Sequence, residues 1–483
     1  MPLPELKMRM SEQDIQNLKQ RLKEANYTEK AIGQRLGVPD IVFLDSRLLP
    51  QFYFNCERVD DPLSTLIKLF LLQSGLSRRE VSAVLGRECI AALSLCGILH
   101  RESGLFYSNV DLFPCLEQFL FTDHWFTAGQ EKGHVYELGM DSYALVRLTH
   151  RGGRKKALDL CTGSGVHAIQ SAFAGCRSTA IDINPRALQY AEFNAAFNSS
   201  EVEILESNLY TKLKGQTFDL ITVNPPFVPS TDKDMLVHRT PGESGEEVSE
   251  RLVAGLPEHL EEGGLFSMIL NYPIITNDSY LDRLERWLGQ DKGWVINNVL
   301  LQVTPVGVYI KEHIYFKDGY YENFNEHLES YSRMGIEGIG FANVFIQRVH
   351  PDIPNHKKEI RTVMPTDCKR ENFKDWLSTQ ALFGNPNFIP DPKSKPRFSP
   401  YFATLWRDQQ MTKGLLEPQM DNFIPGERID GEQAELLARM DGEATSEELL
   451  QRWIEDGREE NAFYRAYRDL GLNFAIEYGQ DGT

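Results

Sequence analysis

Cysteine is sparse and unpatterned in this 483-residue chain: seven residues, at 56, 89, 96, 115, 161, 176 and 368, with no pair at Cys-x-x-Cys spacing. An odd count without that spacing argues against both a disulfide framework and a zinc site. The eleven His form no His-Glu-x-x-His or comparable cluster, so no metal site is expected. No run approaches the ~18 apolar residues that a membrane-crossing helix needs. The opening MPLPELKMRMSEQD lacks the apolar core of a secretory signal, so a cytoplasmic protein without a membrane partner is expected. Basic residues are in deficit as well: 51 Lys and Arg against 69 Asp and Glu leave a net charge of −18. Nucleic-acid affinity comes largely from neutralising phosphates, and the short RGGRKK at 151–156 reads as a solvated turn. The charge leans against RNA or DNA as substrate.

What remains is the composition of an ordinary globular protein, 41% hydrophobic and 25% charged, long enough for roughly three domains. Residues 1–130 read as a mainly helical domain. Ser77-Arg78-Arg79-Glu80 is a capping box, in which hydroxyl and carboxylate satisfy free amides at a helix start. An apolar helix follows over Glu88 to Leu99, then the strand-like GLFYSNVDLF, which together outline a winged helix. ECIAALSLCGIL carries almost no side chain able to contact base edges, so a scaffold or substrate lid is the simpler reading.

From 131 to 350 short β-branched runs alternate with amphipathic helices. Strands are expected over Ala157–Cys161, Ser178–Ile183, Val202–Leu205, Phe218–Val223, Leu265–Leu270, Val295–Val303 and Gly338–Val349. Helices are expected over Pro185–Asn198, Val248–Leu260 and Tyr321–Met334. That alternation is the signature of βαβ units, an α/β fold with a parallel sheet. Residues 351–400, Pro- and Asn-rich toward their end, read as a linker or extended segment. Residues 401–483 read as a small, mainly helical module with a second capping box at Thr445-Ser446-Glu447-Glu448.

Three features carry chemistry. In ALDLCTGSGVHAI an apolar strand runs through Thr162-Gly163-Ser164-Gly165 into a helix; glycines there let a ligand approach backbone, and the helix start offers free amides. Asp182 ends the next strand, placed to hold two ribose hydroxyls. These two features fit a dinucleotide as well as S-adenosylmethionine (SAM). The third decides between them. Asn224-Pro225-Pro226-Phe227 directly follows the fourth strand, where ligands bind in open α/β sheets. The Asn224 amide oxygen and the Pro225 carbonyl form a pair of acceptors able to grip a planar NH₂ group, and Phe227 offers it a flat face. An NAD(P)-dependent oxidoreductase would leave that segment unexplained.

Taken in order, GMDSYALV (139–146), DLCTGSG (159–165), DIN (182–184), SNLY (207–210) and NPPF (224–227) resemble the class I SAM-dependent methyltransferases of the Asn-Pro-Pro-(Tyr/Phe) group. That group includes protein-glutamine N5-methyltransferases, adenine-N6 DNA methyltransferases and guanine-N2 ribosomal RNA methyltransferases. The resemblance covers about 135–350 and implies a Rossmann-like sheet of seven strands. It implies that Asp159, Gly163 and Gly165 line the methionine part of SAM, with Thr162 also at the cofactor, that Asp182 binds ribose, and that Ile183 packs on adenine. Asn208 would contact the adenine amino edge. Asn224, Pro225 and Phe227 would form the acceptor site, with Asn224 also at the cofactor. Cys161 departs from the usual Gly and Asn208 from the usual Asp. The implied activity is methyl transfer to a planar amide or amino nitrogen of a protein glutamine or a small molecule. The alternatives are a nucleobase acceptor and a SAM-binding protein without catalysis.

Overall fold

The computed structural model describes residues 6, 7, 9–125, 133–226, 245–313, 319–362, 370–406, 413–418 and 425–478. Its centre is one twisted sheet, whose strands we number β1 (Lys156–Leu160), β2 (Arg177–Asp182), β3 (Val202–Glu206), β4 (Phe218–Val223), β5 (Leu260–Ile275), β6 (Trp294–Pro305), β7 (Ile336–Arg348) and β8 (His356–Arg361). Their spatial order is β8-β6-β7-β5-β4-β1-β2-β3. Neighbours are parallel except β7, which runs antiparallel to both β5 and β6. Leu158, Leu160, Leu220, Ile221 and Val223 are fully buried. Covering both faces of a parallel sheet demands such nearly unbroken apolar strands. Each expected strand is present, but β5 runs five residues beyond its expected limits at each end.

Two expectations are corrected. The sheet has eight strands, not seven, and 351–400 is not a linker: it contributes β8, parallel to β6, and a helix over Arg370–Phe383. HKKEIR lacks an apolar alternation because β8 is a sheet edge, where charged residues discourage further pairing. Only Ile360 is buried there, while Lys357 bonds Asp282 (2.5 Å) and Glu285 (2.6 Å). The Pro-rich stretch beyond is also tied down, with Arg397–Phe398 pairing antiparallel to Ile476–Glu477.

Five helices of the central unit bear on the site: α1 (Met140–Leu148), α2 (Val166–Phe173), α3 (Pro185–Phe197), α4 (Val306–His313) and α5 (Tyr320–Arg333). The last two stand between β6 and β7 at the carboxyl end of the parallel strands. Residues up to 125 are mainly helical, and both sides of the Ser77/Glu80 capping box form. The helix it opens breaks at Gly86 (φ +73°, ψ 168°) into two segments and ends at Leu95, short of the expected Leu99, which opens the hairpin Leu99–Glu102/Leu105–Ser108. The apolar second helix faces inward, with Cys89, Leu93 and Cys96 buried.

This part does not stand apart from the sheet. Its apolar core is continuous with Tyr143, Val166, Ile169, Tyr190 and Phe193 of α1 to α3. Two amides, one on α3 and one at its C-cap, hold the edge of a second hairpin, Asp111–Cys115/Gln118–Thr122: Asn194 exchanges hydrogen bonds with the backbone of Phe121 (2.8 and 2.9 Å), and Asn198 with that of Phe119 (3.0 and 2.7 Å). On α1, Arg147 bridges Glu29 (2.7 Å) and Asp40 (3.0 Å). At the other end, the helices Gly431–Ala438, Ser446–Glu455 and Glu460–Leu472 share a core with Phe345 and Trp376, beside a three-stranded antiparallel sheet that composition did not foretell. Thr445 caps its helix as expected.

Candidate active site

Beyond Leu160 the chain enters α2 through five residues, three of them in the left-handed region: Cys161 (φ +55°), Gly163 (φ +53°) and Gly165 (φ +85°). Cys161 therefore adopts a backbone that favours glycine, a cost of roughly 1–2 kcal/mol, where the resembling family carries Gly. A Cβ on Gly163 would meet no atom within 4 Å, so its backbone is open to a ligand. A Cβ on Gly165 would lie 3.0 Å from the Ala191 Cα; this glycine is where α2 and α3 pack. Asp159 is buried and accepts from the hydroxyls of Thr162 (2.5 Å) and Thr222 (2.8 Å), joining β1, the loop and β4. Burial pushes its carboxyl up to about 6.

Asp182, at the end of β2, accepts from Gly163 N (3.0 Å) through one oxygen and from Asn184 N (2.9 Å) through the other. Burial raises its pKa while these amides oppose the rise. A carboxylate has about four acceptor positions, so two remain for ligand hydroxyls. Beside it Ile183 is 53% exposed, a large apolar side chain with no core to fill.

A cavity of about 700 Å³ runs along the carboxyl ends of the strands. Thr162, Gly163, Asp182 and Ile183 line it, and so do Asn224, Pro225 and Pro226 beyond β4. The sequence candidates thus meet in one space, with four exceptions. Asp159 and Gly165 shape the loop without lining the cavity. Asn208 is exposed and accepts from Arg251 (3.1 Å), away from the cavity, so its expected adenine contact is not formed by this arrangement. Phe227 lies outside the described residues.

Asn224 is held in one orientation. Its Nδ2 donates to Asp141 Oδ2 at 3.0 Å and lies 3.5 Å from Ser142 Oγ. An ionised carboxylate only accepts, so the amide nitrogen must face Asp141 and Oδ1 is left for the cavity that Asn224 lines. Burial raises the pKa of Asp141 against the opposing bond from Asn224. Farther along, Asn271, Gln302, Thr304, Tyr309, Glu312, His313 and Phe341 continue the wall. Asn271 Nδ2 donates to the Tyr309 hydroxyl (3.4 Å), and the His313 ring stacks on Tyr309 with centroids 3.9 Å apart. Neither Asp141 as a partner of Asn224 nor this α4 wall was nominated from sequence; Asp141 lies within GMDSYALV, but nothing local links it to a residue 83 positions on.

Comparison with known proteins agrees with this geometry. The methyltransferase small domain family matches residues 138–292. The release factor glutamine methyltransferase of Koribacter versatilis is 36% identical over 144 residues, 27% of this chain and 51% of that protein. A putative protein N5-glutamine methyltransferase of Methanocaldococcus jannaschii is 30% identical over 141 residues, 28% of this chain and 71% of that protein. The ribosomal RNA small subunit methyltransferase C of Erwinia tasmaniensis is 26% identical over 192 residues, 37% of this chain and 53% of that protein. Among solved structures, a putative SAM-dependent methyltransferase from Streptococcus mutans aligns at a TM-score of 0.31 and 15% identity, covering 55% of this chain and 66% of that one. The chain spans about half the length of the Koribacter relative. It belongs to the SAM-dependent methyltransferases of the Asn-Pro-Pro-(Tyr/Phe) group. Within that class, curated relatives at 30% identity or more include the protein-glutamine N5-methyltransferases described above. The residues present fit SAM: open backbone at Gly163, an acid with free acceptor positions at Asp182, and an exposed apolar face at Ile183.

Proposed function

We propose that the protein methylates the side-chain amide nitrogen of a glutamine in a protein of the translation apparatus, using SAM. The observation that carries this reading is Asn224, whose nitrogen is held by Asp141 so that its oxygen serves the cavity. Bound SAM supplies a methyl group already activated on a sulfonium, which becomes a neutral thioether on transfer. The protein's own task is then mainly alignment, which can contribute ~7–11 kcal/mol. An amide nitrogen is a poor nucleophile because its lone pair is delocalised into the carbonyl. Asn224 Oδ1 and the Pro225 carbonyl, accepting from its two N–H groups, favour a pyramidal nitrogen with its lone pair aimed at the methyl. They also stabilise the positive charge that develops as the new N–C bond forms. The surplus proton leaves to solvent, so no side-chain base is assigned.

The named relatives are the reason for a translation protein as acceptor: one acts on a release factor, and another, from Xanthomonas campestris, on ribosomal protein uL3. A nucleobase amino group would offer the same two donors, and the Erwinia relative is named for ribosomal RNA, but the −18 charge balance weighs against it. Among the described residues no helix is long and apolar enough to cross a membrane. The test is incubation with methyl-tritiated SAM and, separately, purified release factor, uL3 and ribosomal RNA. Label on a glutamine of either protein is expected. Label in RNA alone would overturn the glutamine assignment.

A further inference from the structure

We propose that Asp141 is a positioning residue for methyl transfer: its buried carboxylate fixes the Asn224 amide with Oδ1 toward the acceptor and polarises it there. This rests on the transfer reading above and adds a residue to it. Asp141 is 5% exposed, in the first turn of α1, and its Oδ1 accepts from Ser142 N at 2.8 Å. Its other oxygen faces Asn224 Nδ2. It forms no ion pair among the described residues, so its charge is not cancelled by a neighbouring cation. Space for it is reserved by Gly139, where a Cβ would come within 2.9 Å of Asp141 Oδ1.

The orientation matters because the two faces of an asparagine amide are opposite in character. With Oδ1 toward the acceptor, Asn224 grips an NH₂ group; flipped, it would present donors to donors and repel it. A neutral partner at 141 could satisfy either flip. A carboxylate permits only one, because it has no hydrogen to give. The anion on the nitrogen side also draws the amide toward its O⁻/N⁺ resonance form, raising the electron density on Oδ1. Asp141, itself on the cavity wall, thus acts on the acceptor through Asn224.

Asp141→Asn is nearly isosteric and tests both points. It should lower kcat by ~10²-fold, the scale of losing one placed electrostatic group, while SAM affinity stays within about a factor of two. In an Asn224→Ala background the same change should cost less than about a factor of two, because the residue it acts through is gone. Independent losses that multiply would overturn the proposal, as would a shift in SAM affinity as large as the loss in kcat. A readout free of any acceptor is the Asn224 side-chain NH₂ resonance in ¹⁵N-asparagine-labelled protein, identified by its absence from Asn224→Ala. One of its protons should be strongly downfield and slow to exchange in the parent, and lose both properties in Asp141→Asn. An unmoved resonance would overturn the proposal even if no acceptor is methylated. If the parent methylates neither release factor nor uL3, the acceptor assignment fails and the resonance alone decides the positioning role.

Discussion

Replacing Asp182 with alanine is expected to weaken SAM binding by roughly 30- to 700-fold. Two of the carboxylate's acceptor positions are engaged, by Gly163 N at 3.0 Å and Asn184 N at 2.9 Å. Asp182 lines the cavity, where its remaining acceptor positions would take the ribose hydroxyls. A hydrogen bond to a charged group contributes ~1.5–3 kcal/mol, and water replaces part of what is lost. The net loss is therefore ~2–4 kcal/mol, which at 1.4 kcal/mol per tenfold gives the range above. Alanine also frees the Gly163 and Asn184 amides, so the variant tests the loop together with the ribose contact. Asp182→Asn separates them, since it keeps one oxygen for the loop and should fall between parent and alanine. Calorimetric titration with SAM, beside far-ultraviolet circular dichroism to show a folded chain, measures the effect. Unchanged SAM affinity in folded Asp182→Ala would refute the ribose assignment.

Asn224→Ala should leave SAM affinity nearly intact and lower turnover by ~10²–10³-fold in a radiolabelled transfer assay; the reverse pattern would contradict the acceptor role. Gly165→Ala combines a left-handed backbone with a Cβ 3.0 Å from the Ala191 Cα, and should cost about 2–4 kcal/mol in urea unfolding. Asp159→Asn addresses pH. Burial lifts the Asp159 pKa from 3.8 to about 6, so between those values the folded chain binds more protons than the unfolded one, and stability falls as pH rises. The variant should show a shallower fall across that window, by an amount on the order of 2–3 kcal/mol, in urea midpoints taken at several pH values. An identical slope in parent and variant would contradict it.

Much of this architecture is legible because its causes are local. Phe218–Val223 is a buried apolar run stopped by Asn224-Pro225-Pro226, and the structure begins and ends β4 at those residues. Gly163 and Asp182 announce themselves through a turn and a strand end, and they meet through one hydrogen bond. β8 escaped because HKKEIR buries a single apolar residue and earns its place through edge pairing and the Lys357 bonds. Position within a motif did not distinguish ligand contact from scaffold. Asp159, at the end of β1, is satisfied by two threonines, and Gly165, the last residue of the loop, packs on α3. Asn208 was expected from the motif resemblance alone, and its side chain accepts from Arg251. Asp141 and Asn224 become neighbours only when α1 folds back over the end of β4, and the α4 wall depends on how far β6 and β7 extend.

The most direct measurement is a crystal structure of the protein with S-adenosylhomocysteine, the demethylated product of SAM. The account predicts ribose hydroxyls on Asp182, adenine against Ile183, and a sulfur whose missing methyl would point toward Asn224 Oδ1 and the Pro225 carbonyl. Ligand bound outside this cavity, or within it with the ribose away from Asp182 and the sulfur turned from Asn224, would contradict it.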